Sequence, residues 1–470
     1  MSTNVSVKIN IIYNVLLTIS TYVAALIVYP YASRVLGVEN IGIVGFILKT
    51  IDGFVLFTTL GVTVVGIRET AAAKADQQRL SQVFSSLVTI LIVSTLIVTI
   101  AYFVSILFIP SLHEHYRLFV IGLSKLIASA FLIEWFYQGI ENFRYITLRN
   151  LALKVLYIIS VFIFVRTKSD YEVYLLLNVL VIVLNAIINW GTSRKYTHFK
   201  FTLKGAKVFL VPVMIYGAYQ VLNAVYSTFN YTFLGSYCSK VEVGYYYTAE
   251  QFYTVLLSII TAVTKVLMPR TSSYLSDKKY EAFNKLIEKS FSGILSICIP
   301  IAIIGSFYAS DILNMLVGPE YDGAILPMQI MMILVLVNGI NQIFILQVAM
   351  PLKLDKEILI GTLVASILAL SLNKYLLINL GAVGASLVLV VSVIIANIYP
   401  IVTIVKRKLI RIPVIIILKK VINGLPYIVI CIAVSLFTID NQYIKLGILA
   451  ILSGSYFFFV NRNEIVEFKR

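Results

Sequence analysis

The stretch IGIVGFILKTIDGFVLFTTLGVTVVGI, residues 41–67, decides the fold class of this 470-residue chain. It is long and apolar enough to cross a bilayer as a helix, yet it carries Lys49 and Asp52 near the expected membrane midplane. A charge there costs about 2.5–3.5 kcal/mol on insertion scales, so it is tolerated mainly where it faces a protein interior or an aqueous cavity. We therefore predict a membrane helix with one polar face that lines a cavity. Steps of four and three residues place the following on this face: Gly45, Lys49, Asp52, Leu56, Thr59, Thr63 and Gly66.

The pattern of this helix recurs later in the chain. Gly42 and Arg68 are 26 residues apart, and so are Gly244 and Arg270. Shifting this face by 202 positions gives a second face, on which every residue except the last is polar or amphipathic: Tyr247, Gln251, Thr254, Ser258, Thr261, Lys265 and Met268. This internal repeat predicts two halves whose second helices line one shared cavity.

Composition places the whole chain in a membrane. Sixty per cent of the residues are hydrophobic and the mean hydropathy is +0.93, which excludes a soluble globular protein. Apolar runs of about 20 residues recur along the entire length, which is typical of an all-α polytopic membrane protein. The runs predict about fourteen transmembrane helices, at residues 9–31, 41–67, 82–109, 117–138, 145–165, 171–190, 206–233, 244–267, 290–309, 325–349, 358–379, 382–405, 413–438 and 442–460.

The distribution of basic residues predicts the orientation of these helices. With Lys8 on the inner side, 27 of the 38 lysines and arginines fall on that side, 6 fall outside and 5 lie within the spans. This bias predicts that both termini are cytoplasmic. It also accounts for most of the net charge of +16, and nothing in the chain resembles a nucleic-acid-binding module. The three cysteines are scattered, so we expect neither a disulfide framework nor a zinc site, and we also expect no cofactor.

The ionisable residues within the spans are the candidate site. Five lysines outnumber Asp52, Glu134 and Glu250 there, and a surplus of positive charge in a cavity suits an anion such as a diphosphate. The candidate substrate-binding residues are Arg34, Lys49, Asp52, Lys125, Lys154, Gln251 and Lys265. Asp52, Glu134 and Glu250 are the candidates for coupling to an ion gradient.

Each of these residues also has a structural interpretation. Lys49 and Asp52 are three residues apart and could form a buried structural pair. Lysines near helix ends, namely Lys125, Lys154 and Lys265, could extend to the membrane surface instead. Arg34 could be a topology anchor, and we interpret Lys374 as structural.

Two blocks of sequence resemble a known family. The stretch 29–42 contains Arg34-Val35-Leu36-Gly37-Val38-Glu39 and resembles the arginine-leucine-glycine-x-glutamate signature of bacterial polysaccharide and O-antigen flippases of the Wzx type. The stretch 134–147 contains Trp135-Phe136-Tyr137-Gln138-Gly139-Ile140-Glu141 and is similar to a second block of that family. Weaker matches are Glu242–Tyr246 and Gly318–Tyr321. The resemblance covers residues 8–405 and extends to the multidrug and oligosaccharide-lipid exporter superfamily, which includes the MATE transporters.

The resemblance implies both an architecture and a function. It implies two six-helix bundles related by pseudo-two-fold symmetry, here residues 1–204 and 205–405, followed by a basic linker and two further helices in 406–470. The implied function is a flippase, not an enzyme, that moves a polyprenyl-diphosphate-linked oligosaccharide across the bacterial cytoplasmic membrane by alternating access. The implied partners are that substrate, membrane lipids, and the polysaccharide polymerase with its chain-length machinery, with no nucleic acid.

Two other functions stay open at this point. A cation-coupled multidrug exporter of the same superfamily is one, although surplus lysine in the core fits poorly with cationic substrates. A membrane glycan polymerase or glycosyltransferase is the other, although such an enzyme is expected to carry a large external loop. The longest outer connection predicted here is about fifteen residues, around 313–324. The sequence also contains no phosphate-binding P-loop, so the chain is not itself an ATP-driven pump.

Overall fold

The computed structural model describes residues 7–437 and 441–468, and no β-strand occurs within those ranges. Membrane-spanning chains form helices because each helix satisfies its own backbone hydrogen bonds. The α-helices are α1 Val7–Thr59, α2 Val62–Ala73, α3 Gln77–Phe108, α4 Pro110–His113, α5 Tyr116–Ala130, α6 Glu134–Gly139, α7 Phe143–Phe164, α8 Tyr171–Ser193, α9 Leu203–Tyr226, α10 Thr228–Tyr237, α11 Lys240–Ser276, α12 Tyr280–Phe307, α13 Ala309–Leu316, α14 Ile325–Gln342, α15 Asp355–Lys406, α16 Val414–Leu436 and α17 Gln442–Phe468. Short 3-10 segments occur at Lys168–Asp170 and Pro319–Ala324, and a π-helical segment follows α14 at Ile343–Ala349.

Within the described residues, twelve segments are long and apolar enough to cross a membrane. Two of them, Ser20–Thr59 and Asp355–Lys406, contain 40 and 52 residues. At a rise of 1.5 Å per residue they measure about 60 and 78 Å, roughly twice the thickness of the hydrocarbon layer. Each changes direction at a glycine with positive φ, Gly37 or Gly381, so each accommodates two crossings. The all-α polytopic class is confirmed, and the fourteen predicted crossings fit these segments.

The structure corrects the predicted connection at residues 29–42. The first predicted helix ends at residue 31, directly after Pro30, but α1 continues through Pro30 and turns only at Gly37, where φ is 79°. A proline inside a membrane helix is tolerated when neighbouring helices satisfy the freed backbone groups. The whole turn therefore depends on Gly37 alone. A residue with a side chain would adopt the positive φ of Gly37 only with strain.

The predicted helix 41–67 is also interrupted. It ends at Thr59, and Leu60 adopts a left-handed φ of 42° before α2 begins at Val62. The Gly61 N–H then donates to the Val213 carbonyl of α9 at 3.1 Å, and a Cβ on Gly61 would lie only 2.4 Å from that oxygen. At this break, Gly61 therefore packs directly against the backbone of α9. A similar break at Ser227 divides the predicted helix 206–233 into α9 and α10.

The chain forms two compact units, Met1–Gly244 and Tyr245–Arg470. The boundary falls within α11, so α9 and α10 pack with the first unit. The three-part division at residues 204 and 405 stays a prediction.

Each unit has its own core. In the first unit, rings of α3, α6 and α8 pack together, with Phe84 6.0 Å from Trp135 and 6.0 Å from Trp190 between ring centroids. In the second unit, α12 packs against α14 and α16. Gly305 and Gly339 allow this approach, because an added Cβ would lie 2.7 Å from Met332 Sδ and 2.5 Å from Cys298 Sγ, respectively.

Candidate functional site

The second half of α1 presents Lys49 and Asp52 on one side and buries the other. Ile47 and Ile51 are fully buried in the first unit, whereas Lys49 and Asp52 are only half-buried. The i, i+3 spacing of the two ionisable residues puts them on one helical face, as predicted. Starting from the turn at Gly37, Lys49 lies about 18 Å along this helix and Asp52 about 22 Å, which is well within a bilayer.

Asp52 forms an ion pair with Lys125 of α5. Lys125 Nζ lies 2.7 Å from Asp52 Oδ1, and the side chains are 12% and 44% exposed, respectively. The close approach of α5 to α1 depends on Gly122, three residues before Lys125, since a Cβ there would lie 2.1 Å from Ile51 Cδ1. Two of the predicted site residues are therefore brought together from different helices.

Lys49 faces a buried aromatic ring on α10. Its Nζ lies 4.8 Å from the centroid of the Tyr231 ring, which is within the range of a cation–π contact. The Tyr231 side chain is fully buried, and the adjacent hydroxyls of Thr50 and Thr232 hydrogen-bond at 3.0 Å. The contact gives α10 a direct role beside Lys49. Tyr231 was not identified from the sequence. The break at Ser227 sets the orientation of α10, and hydrophobic periodicity does not reveal that break.

Glu134 belongs to a different cluster. Its Oε1 lies 2.5 Å from the Nη2 of Arg149, whose side chain is only 4% exposed. Arg149 also donates to the side chains of Asn189 and Asn150, and Tyr145 donates its hydroxyl proton to Asn189 at 3.2 Å. This polar network connects α6, α7 and α8 at residues 134–147, the second block that resembles the family. Arg149 and Asn189 were missed in the sequence because their importance depends on three-dimensional proximity to Glu134.

The side chains at the start of this second family block, residues 134–147, pack against α2. Trp135 and Phe136 are buried, and a Cβ on Gly66 would lie 2.5 Å from the Trp135 ring. Gly139 is similarly close to Thr70, with 2.5 Å between the added Cβ and the Thr70 Cβ. Gly66, which we assigned to the polar face of the predicted helix 41–67, therefore packs α2 against α6.

The remaining candidates of the first unit lie apart from Lys49. Lys154 Nζ donates to Ser20 Oγ at 3.1 Å and to the Thr21 hydroxyl, both in the first half of α1. Arg34 is exposed near the turn of α1. Lys154 thus binds hydroxyl groups within the helix bundle, although we had considered an extension to the membrane surface.

In the second unit, polar side chains of α14 hydrogen-bond to α11, the helix that carries the repeated polar face. Gln342 Nε2 donates to Thr261 Oγ1 at 2.7 Å, and the Asn338 side chain donates to the Tyr253 hydroxyl. Gln251 and Glu250 are half-buried, whereas Lys265 is exposed. Their roles in substrate binding or ion coupling stay predictions.

Comparison with known proteins identifies the family. A model of the family described as "Polysaccharide biosynthesis protein" matches residues 7–275, more than half of the chain. The chain belongs to this family. The putative O-antigen transporter of Escherichia coli strain K12 is similar to this chain, with 25% identity over 405 residues. The match covers 83% of this chain and 95% of the transporter.

Solved structures show the same fold at low sequence identity. The lipid II flippase MurJ in an inward closed conformation matches with a TM-score of 0.77 and 16% identity, over 96% of this chain and 100% of MurJ. An inward-facing MATE-family multidrug transporter matches with a TM-score of 0.64 and 13% identity, over 85% of this chain and 99% of the transporter. This member of the polysaccharide biosynthesis protein family therefore has the MurJ/MATE-like fold.

Proposed function

We propose that this protein is a flippase that moves a polyprenyl-diphosphate-linked oligosaccharide from the inner to the outer leaflet by alternating access. Membership of the polysaccharide biosynthesis protein family and similarity to a putative O-antigen transporter support this substrate class. The fold shared with a lipid II flippase supports a mechanism in which no covalent bond is made or broken.

The observation that carries the proposal is the ionisable cluster Lys49, Asp52 and Lys125. Two ammonium groups and one carboxylate lie on membrane-spanning helices of the first unit, where a charge is retained only at a cost. A diphosphate needs fixed positive charge in a site of low dielectric constant, and preorganised lysines supply it without reorganisation. In this proposal Lys49 binds the diphosphate, and the Asp52–Lys125 pair orients α5 beside it.

The acid that fits ion coupling best is Asp52. Its side chain is 44% exposed, so a proton or a sodium ion reaches it more easily than a fully buried carboxylate. Glu134 is held by Arg149, and that contact favours a structural role for Glu134. Glu250 is half-buried on α11 and remains the second coupling candidate. Collapse of the proton and sodium gradients should slow flipping in proteoliposomes, and an unchanged rate would refute coupling through any of these acids.

The cellular setting follows from the same proposal. The excess of basic residues on one side supports a location in the bacterial cytoplasmic membrane with both termini in the cytoplasm. The oligosaccharide delivered to the outer face would then pass to the polymerase and chain-length machinery that assembles O-antigen, capsule or exopolysaccharide.

A deletion strain tests the substrate class directly. We expect lipid-linked oligosaccharide to accumulate on the cytoplasmic side when the gene is deleted and to disappear from that side when the gene is restored. Flipping of the same purified lipid in proteoliposomes gives the independent measurement. Normal surface polysaccharide in the deletion strain, with no accumulated lipid intermediate, would contradict the proposal.

A further inference from the structure

A groove runs between α5 and α8 of the first unit, and neither member of the Asp52–Lys125 ion pair is among its lining residues. It encloses about 580 Å³ and is lined almost entirely by apolar side chains, including Ala128, Phe131, Ala186 and Trp190. This volume is within the range of about 300–1,000 Å³ that is usual for small-molecule sites. A Cβ on Gly191, another lining residue, would meet no heavy atom within 4 Å. The groove therefore has room for an apolar chain along its Gly191 side.

The dimensions of the groove match one leaflet of a bilayer. Its lining on α8 runs from Val183 to Arg194, which is about 16 Å of helix, and the hydrocarbon layer is about 30 Å thick. Arg194 is the one charged residue of the lining and lies at the C-terminal end of α8. The basic bias places that end at the cytoplasmic surface, where anionic lipids attract basic groups.

The Arg194 guanidinium is available for a ligand. The side chain is exposed, and within the described part of the chain it forms no ion pair with a carboxylate. A guanidinium binds phosphate oxygens with two parallel hydrogen bonds, so it complements a phosphate headgroup at the membrane surface. The groove is apolar over the length of one leaflet and has a basic group at its surface end. It therefore complements a phospholipid, which has apolar chains and a phosphate headgroup.

We propose that this groove binds an anionic phospholipid of the inner leaflet, with one acyl chain between α5 and α8 and the phosphate on Arg194. The chain packs beside Trp190 and Gly191. Because α5 also carries Lys125, the bound lipid contacts the helix that holds the ion pair with Asp52. This site is separate from the proposed diphosphate site at Lys49, so it is tested by lipid binding and not by transport.

Tryptophan fluorescence provides a position-specific test. The protein has two tryptophans, Trp190, which lines the groove, and Trp135. Both rings lie 6.0 Å from the Phe84 ring between centroids, so Trp135→Phe is the background in which Trp190 alone reports on the groove. The full-length protein would be reconstituted with phosphatidylglycerol or phosphatidylcholine brominated on one acyl chain, and quenching would be measured as a function of lipid fraction. We expect phosphatidylglycerol to bind about five-fold more tightly than phosphatidylcholine, since one basic residue near the membrane surface contributes about that factor.

Two variants with matched controls decide the outcome. Arg194→Gln should abolish the preference for phosphatidylglycerol, whereas Lys195→Gln, the same change on the next residue outside the groove, should keep it. Gly191→Phe should reduce quenching by both lipids because the ring fills the groove, whereas Gly191→Ala should not. Equal preferences in Arg194→Gln and Lys195→Gln would overturn the proposal. So would displacement of brominated phosphatidylglycerol by a few mole per cent of polyprenyl phosphate, which would make the groove a substrate site.

Discussion

Lys125 of α5 and Asp52 of α1 form an ion pair with 2.7 Å between Nζ and Oδ1. Seventy-three positions of chain separate these residues, and Gly122 allows their helices to approach closely enough for the contact. The pair ties the helix with Lys49 to the helix that forms one wall of the lipid groove. The two proposed sites, for a headgroup at Lys49 and for a lipid on α5, therefore involve helices that are joined by this pair.

The first prediction concerns the strength of this pair. We expect Asp52→Asn and Lys125→Gln each to lower the stability of the detergent-purified protein, and the double variant to be less destabilised than the sum. The coupling should be about 1 kcal/mol, near the upper end for exposed pairs, because the Asp52 side chain is 44% exposed and the interaction is partly screened. Thermal unfolding of the four proteins measures it. Strict additivity would mean that the contact stabilises nothing.

The second prediction tests Lys49 as the diphosphate ligand. Lys49→Ala should severely reduce surface polysaccharide in a complemented deletion strain, because a fixed positive charge in a site of low dielectric constant is lost. Lys49→Arg should retain part of the export, since the charge remains while hydration and geometry change. Lys374→Ala is the control, as Lys374 is exposed on α15. Full export by Lys49→Ala at a matched protein level would place the headgroup elsewhere.

The third prediction separates structure from transport at the Glu134 network. Arg149→Ala removes the buried partner of Glu134 and a donor to Asn189. Glu134 is 35% exposed, so its unpaired charge costs less than in a fully buried pair, where about 3–5 kcal/mol is typical, and we expect a lowered melting temperature and reduced accumulation in the membrane. Arg144→Ala, on an exposed side chain of the same helix, should accumulate normally. Normal accumulation and thermal stability of Arg149→Ala would contradict a structural role for the network.

The fourth prediction concerns the repeated glycines. A Cβ on Gly42 would lie 1.8 Å from the Lys240 carbonyl oxygen and 2.8 Å from the Gly244 nitrogen. Backbone atoms cannot move aside as a flexible side chain does, so Gly42→Ala should destabilise the protein. In contrast, Gly191→Ala has open space and should stabilise α8 by up to about 1 kcal/mol, the usual gain in helix propensity. Thermal unfolding of the two variants, which add the same methyl group, gives the comparison. Equal effects would mean that the backbone contact at Gly42 relaxes at no cost.

The sequence predicted the fold class well because membrane insertion depends on length and hydrophobicity, which are local properties. The same locality explains the errors. Pro30 is a helix breaker by propensity, but a membrane bundle tolerates it, and the turn falls at Gly37 instead. The break at Leu60 depends on Gly61 meeting the α9 backbone, a contact some 150 residues away in sequence.

The sequence predicted the residue types of the candidate site, but the pair that it suggested, Lys49 with Asp52, is not the Asp52–Lys125 pair that the structure shows. Burial cost identified Lys49, Asp52 and Lys125, since a charge within an apolar run is visible in sequence. The partner of Asp52 was not identifiable, because α1 and α5 meet only through tertiary packing. Likewise, Arg149 and Tyr231 gain their roles from the neighbours that the fold supplies, Glu134 and Lys49.

The last prediction tests topology and local environment with Cys238, between α10 and α11. The basic bias predicts that this connection lies outside. The other two cysteines, Cys298 and Cys431, are fully buried, so Cys238 is the thiol that a reagent can reach. Burial and the nearby Glu242 carboxylate raise the pKa of the Cys238 thiol above its ordinary value, because both disfavour the thiolate. The thiolate is the reactive form, so at neutral pH Cys238 should react with a maleimide more slowly than a small reference thiol. Towards pH 9 its rate should still rise steeply, whereas that of the reference begins to level off near its own pKa of about 8.5.

The measurement uses an impermeant maleimide on spheroplasts between pH 7 and 9. Label should be absent from Cys238→Ser. Tyr237→Cys in that background provides an exposed thiol one residue away, and it should react faster at pH 7, since the Tyr237 position is 46% exposed. Labelling of both thiols only after the membrane is permeabilised would place the connection in the cytoplasm and invert the predicted orientation. Equal rates for both thiols at every pH would show that the folded chain does not shift the pKa of Cys238.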